Sequence, residues 1–228
     1  MRWKRVLSLS LAMTAVAIVL VGAVPSWHWI EAQLQERSER PDPVIASPEE
    51  TREMLGVAIT TLQLGGAPSQ PPGHGKSAAT SPSKVLLIAD RSICFDSIPE
   101  SDCSGYGEKI LYPELEGVAP IKFRRELVAA NAAPVELVAH GIPGTRVEAS
   151  GEIQSVFENG FWEDFYERYP GTAGFVRVSR PVLSADRERA LLYLSHHCGG
   201  VCGSGHVLLL VRSGAQWRVE IDERIWIS

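Results

Sequence analysis

The chain has 228 residues, 45% of them hydrophobic and 21% charged, a balance that suits a packed globular body and excludes a disordered or fibrous chain. Its formal net charge is −5; Arg2, Lys4 and Arg5 are the only charges in the first 24 residues, and subtracting those three leaves the remainder at −8. A body so acidic, with no basic stripe, argues against nucleic acid and anionic lipid surfaces as partners.

From Val6 to Val24 there is no charged residue. About 20 apolar residues match the hydrocarbon thickness of a bilayer, and Trp27 and Trp29 follow where indole rings favour the headgroup zone. The run is longer than the core of an ordinary secretory signal, about 7–15 residues. Residues 1–30 are therefore expected to be an uncleaved transmembrane anchor, spanning the membrane through 6–24. A signal cut after Val21-Gly22-Ala23 is the alternative. Positive-inside bias leaves the basic end in the cytoplasm and the body outside it. The body is then tethered in the periplasm or at the cell surface, or secreted if the leader is removed.

Residues 31–84 are expected to hold a stalk, an amphipathic helix and a flexible loop. The helix starts at Ser47 as N-cap, with Pro48 at N1 and Glu50 completing a capping box. Leu55, Ala58, Ile59 and Leu62 form its apolar face, and Gly65-Gly66 is expected to end it. The loop, 67–84, is rich in Pro, Ser, Gly and Ala. Its GHGKS lacks the earlier glycine of a phosphate-binding loop, because position 70 is Gln.

Residues 85–228 are expected to be the globular domain. KVLLIADRSICF reads as a strand, PIKFRRELVAANAAP as a helix stopped near Asn131, and GEIQSVFENG as a short helical turn. In GFWEDFYERYPG, Trp162, Phe165, Tyr166 and Tyr169 make an aromatic helical face, leaving Glu163, Asp164 and Glu167 on the solvated side. From Gly174 the period changes to 2. GFVRVSRPVL, ALLYLSHH, HVLLLVR and WRVEIDERIWI are joined by short polar turns, as in an antiparallel meander. The expected class is α+β: a C-terminal antiparallel β-meander sheet of four or five strands packed against two to four helices.

The last half of the chain carries Trp162 with Phe165-Tyr166, Tyr169-Pro170, Ser179-Arg180, Asp186, Ala190-Leu191, Tyr193, Cys198, Cys202-Gly203-x-Gly205, Trp217 and Trp226-Ile227-Ser228. Over roughly residues 118–228 this pattern resembles a family of bacterial exported, membrane-anchored proteins of unassigned function. The resemblance implies an exported domain and no particular activity. The positions of His196, His197 and His206 are not regularly histidine in that family.

The densest chemistry is SHHCGGVCGSGH, Ser195 to His206. On a strand, His196 and His197 point to opposite faces, so they cannot both hold one ion. A tetrahedral zinc shell would use His196, Cys198, Cys202 and His206, although four ligands within eleven residues are cramped. Exported cysteines are ordinarily oxidised, which removes the thiolates. Cys198–Cys202 and Cys94–Cys103 are the local pairings expected, though four cysteines allow three connectivities. VCGSGH departs from a nucleophile elbow at Cys202. Read as turn residues, Ser204 and His206 lack nucleophile–base geometry and an orienting Asp. His140 reads as a turn residue, and Ser179-Arg180 with Asp186 as a strand-end arginine paired with a turn carboxylate. No catalytic set emerges. The expected function is a non-enzymatic binding or structural module of the cell envelope, contacting a protein, peptidoglycan or a small ligand; the alternative is a metal-dependent binder or enzyme built on the 196–206 loop.

Overall fold

Ser47 caps the first described helix as its spacing predicts. The computed structural model describes residues 42–64, 84–95 and 107–228; the 6–24 run, the stalk, Gly65-Gly66, the GHGKS loop and Cys103 lie outside them. Among the described residues no helix is long and apolar enough to cross a membrane. In α1 (Pro48–Thr61) the Ser47 hydroxyl accepts from the Glu50 N–H at 3.2 Å, and the Glu50 carboxylate accepts from the Ser47 N–H at 2.9 Å. The helix ends before the glycines, in a Schellman turn: Leu64 N–H bonds Ile59 C=O and Gln63 N–H bonds Thr60 C=O, with Gln63 at φ 53°. Composition groups α1 with the stalk and loop, yet Met54, Leu55, Ala58 and Ile59 are buried in the core, and Pro43–Ser228 is one compact unit.

The fold is α+β. Among the described residues the eight strands are β1 (Val44–Ile45), β2 (Val85–Ala89), β3 (Thr145–Glu148), β4 (Thr172–Val178), β5 (Val182–Leu183), β6 (Arg189–His197), β7 (Gly203–Ser213) and β8 (Gln216–Ile227). β4, β6, β7 and β8 form the expected antiparallel meander. The sheet then continues past β4 with parallel β2 and β3, so it is mixed, and larger than the four or five antiparallel strands expected. Thr145–Glu148 escaped the pattern reading because four residues with no buried face, paired in parallel, bring no hairpin turn with them.

GFVRVSRPVL, read as one strand, is two. Pro181 cannot donate to a ladder, and the chain breaks between β4 and β5, both of which line the same edge of β6. The break is satisfied locally. Ser179 Oγ accepts from Tyr193 N–H at 2.8 Å, and Asn131 receives Arg180 N–H while donating to Arg180 C=O and Leu127 C=O. β1 pairs with β5 on its outer side.

Five α-helices lie among the described residues, where two to four were expected: α1, α2 (Gly107–Ile110), α3 (Ile121–Ala130), α4 (Ser150–Asn159) and α5 (Trp162–Arg168). They cover both faces of the sheet. α1 packs on Leu86, Ile88, Val176, Leu192 and Leu208. The opposite face carries two separate clusters: α2 and α3 on Leu191, Tyr193 and Val207, and α4 and α5 on Leu87, Ala89 and Phe175. Burial on both faces explains why Leu191-Leu192 and Leu208-Leu209-Leu210 run without polar alternation.

Candidate functional site

Strand parity arranges the 195–206 region. β6 and β7 pair as far as His197 and Gly203, and the five-residue turn between them is closed by the Cys198–Cys202 disulfide, with Cα atoms 5.1 Å apart. Cys94 is also disulfide-bonded and buried; Cys103, its expected partner, is outside the described residues. With Cys198 and Cys202 joined, neither offers a thiolate to zinc. His196 Nε2 bonds Ala173 C=O at 2.9 Å, and both ring nitrogens of His206 are engaged. Among the described residues no three His, Cys, Asp or Glu side chains are grouped to hold a metal ion.

His196 and His197 do take opposite faces. His197 stacks on Phe175 at 4.9 Å between ring centroids and lies 5.6 Å from Trp226. Burial, reinforced by Arg177 and His196, pushes its pKa down to about 4, so the ring is neutral at physiological pH. His196 shares the other face with Ser204, directly across the ladder, and with His206; burial foremost, and His206 in part, lowers its pKa.

On that face the structure overturns one expectation. β7 begins at Gly203, not at His206, so Ser204 and His206 are strand residues i and i+2 and point the same way. Ser204 Oγ lies 3.0 Å from His206 Nε2, and Asp222 Oδ1 of β8 lies 2.6 Å from His206 Nδ1. His206 is buried, 8% exposed. Parity on 203–213 would have exposed the Ser–His pair in the sequence; Asp222 joins only through the β7–β8 register.

Two clefts flank these groups. The larger, about 740 Å³, opens beside the α4–α5 cluster, against α4 and the segment after β2. Its floor is Ala89, Phe175, Arg177 and His197; its walls include Arg91, Ser92, Pro134, Ser150, Ile153 and Phe157. None of its lining residues is acidic. Arg91 Nη2 donates to Pro134 C=O at 3.1 Å, which holds that guanidinium at the rim. Neither arginine stood out in the sequence, since ADRS and VRVS become neighbours only through the parallel β2–β4 pairing. The second cleft, about 590 Å³, lies beside the disulfide and is lined by Ser204, His196, Lys84, Arg224, Leu64, Val201 and Ile227, among others.

The other sequence candidates are structural. Glu163, Asp164 and Glu167 are exposed, and Phe165 is fully buried in the aromatic cluster. His140 is an exposed turn residue. Asp186 does not pair with Arg180; it receives Ser184 Oγ and Glu188 N–H within its own turn. No family model, curated protein or solved structure matches the chain.

Proposed function

We propose that the protein is a membrane-tethered extracytoplasmic binding module that holds a small organic anion with an apolar body in the 740 Å³ cleft. One observation carries this reading. Arg91 and Arg177 border an aromatic floor in a cleft with no carboxylate in its lining, on a body that is otherwise acidic. Few polar groups in an apolar concavity are the common form of a small-ligand site, and a guanidinium fits a carboxylate or phosphate by two parallel N–H bonds. Neutral His197 offers a flat stacking face beside Phe175 without adding charge. Carboxylates of peptidoglycan fragments belong to this ligand class. The tether through residues 6–24 rests on the sequence.

Calorimetric titration of the full chain in detergent with benzoate, phenyl phosphate and a soluble muropeptide, with neutral benzamide as control, tests the proposal. At least one anion binds and benzamide does not. Arg177→Gln weakens that binding by about tenfold, the worth of one charge-assisted hydrogen bond. Benzamide binding as tightly as benzoate, no anion binding at all, or an Arg91→Gln/Arg177→Gln double variant with unchanged affinity would each overturn it.

A further inference from the structure

The second cleft carries an inference of a different kind, independent of the anion site. We propose that Ser204, His206 and Asp222 form a nucleophile–base–carboxylate relay that hydrolyses small acyl esters beside the Cys198–Cys202 disulfide.

The hydrogen-bond chain has one self-consistent proton arrangement when His206 is neutral. Asp222 as a carboxylate only accepts, so the 2.6 Å contact requires the proton on His206 Nδ1. Nε2 then carries the lone pair, and at 3.0 Å it can only accept from the Ser204 hydroxyl. That is the tautomer a general base needs, and it is fixed by a group on another strand. The three residues sit on strands and not on a loop: β6 and β7 pair without a shift through Ser204 and His206, and a register shift of β8 on β7 between Gly205 and His206 falls within the group. Ser204 lines the cleft, and His206, 8% exposed, lies behind it.

The cleft supplies the rest of an acyl-transfer site. Lys84 and Arg224 line the same cleft as Ser204 and give it the positive charge that a developing oxyanion calls for. Val201, 91% exposed, and Ile227, 69% exposed, line the same cleft as open apolar surface that suits a short acyl chain. In the reaction, Ser204 Oγ attacks the ester carbonyl carbon while its proton passes to His206 Nε2. The bond from acyl carbon to leaving oxygen breaks, and the proton moves from Nε2 to the departing alkoxide. Water then attacks the acyl-Ser204 ester, giving its proton to the same nitrogen. The bond from acyl carbon to Ser204 Oγ breaks, Oγ takes the proton back from Nε2, and the carboxylic acid leaves. Ser204 and His206 are the catalytic residues; Asp222 is a positioning residue.

A tagged fluorophosphonate, incubated with the full chain in detergent and followed by intact and peptide mass spectrometry, is expected to add once, at Ser204. Ser204→Ala abolishes the adduct, and the loss of a half-buried hydroxyl leaves folding intact. With p-nitrophenyl butyrate, Asp222→Asn lowers kcat by at least about a hundredfold with KM little changed, and His206→Gln lowers it at least as much. Thermal melts of each variant accompany the kinetics. Absence of an adduct on Ser204 would overturn the proposal. So would turnover that persists in Ser204→Ala, or an Asp222→Asn variant that keeps its melting temperature and its kcat.

Discussion

His197 sits between Phe175 and Trp226 with Nε2 3.1 Å from Ser195 Oγ, and its protonation is linked to folding. Its pKa falls from 6.5 to about 4 on folding. Between those values the unfolded chain binds a proton that the folded chain refuses, so stability is complete above pH 6.5 and declines as pH falls toward 4. The limit of this effect is about 3 kcal/mol. His197→Phe keeps a ring between the two aromatics and removes the titration. Urea midpoints measured from pH 7 to 4 should therefore slope less steeply for the variant than for the parent. Two glycines nearby are fixed by contact. At Gly205 a Cβ would lie 1.9 Å from Trp226 Nε1, and at Gly174, with φ 93°, 2.1 Å from His197 C=O.

At the scale of elements, a buried arginine holds the α2–α3 layer together. Arg124 of α3 is 1% exposed. Its Nε donates to Ala119 C=O, Nη1 to Ile110 C=O and Tyr112 C=O, and Nη2 to Glu116, all within 2.7–2.9 Å. These are the end of α2, the 3-10 turn Pro113–Gly117, and the entry to α3. Arg124→Met fits the volume but strands the buried carbonyls of Ala119 and Ile110, at a cost of about 2–4 kcal/mol in chemical denaturation. Arg124→Lys recovers only a small part, because a single ammonium cannot reach carbonyls on three sides. Equal stability of parent and Arg124→Met would show that the α2–α3 layer is held by Phe123 and Leu127 alone.

At the scale of the molecule, Glu50 joins distant segments. Its carboxylate caps α1 and receives Arg187, in the turn before β6, and Arg212 near the end of β7, 137 and 162 residues away. Burial alone would raise its pKa; the Ser47 N–H and the Arg187 guanidinium outweigh it and hold the pKa below the usual carboxylate value. Its contribution is thus present above about pH 4.5, the unfolded value, and is lost as pH falls through the lower folded value. Glu50→Gln is expected to destabilise by about 1–3 kcal/mol at pH 7 and to flatten the acid limb below pH 4.5. The His197 variant acts at higher pH, so the two windows separate in one set of melts.

Signals confined to a few residues were legible in the sequence: the Ser47–Glu50 box, the aromatic face of Trp162–Tyr169, the period-2 strands after Gly174, the opposite facing of His196 and His197, and the Cys198–Cys202 staple. Each rests on helix or strand periodicity, or on a short turn, which the chain determines locally. Tertiary structure decided the parallel β3–β2–β4 edge, the docking of α1 on one face and the parting of two helical layers on the other. It also decided both clefts. Arg91 and Arg177 come to line one cleft through a crossover pairing, and Asp222 reaches His206 through the register of β8 on β7. Such long-range pairings are chosen by which faces bury best together, and that choice leaves no spacing in the sequence to read.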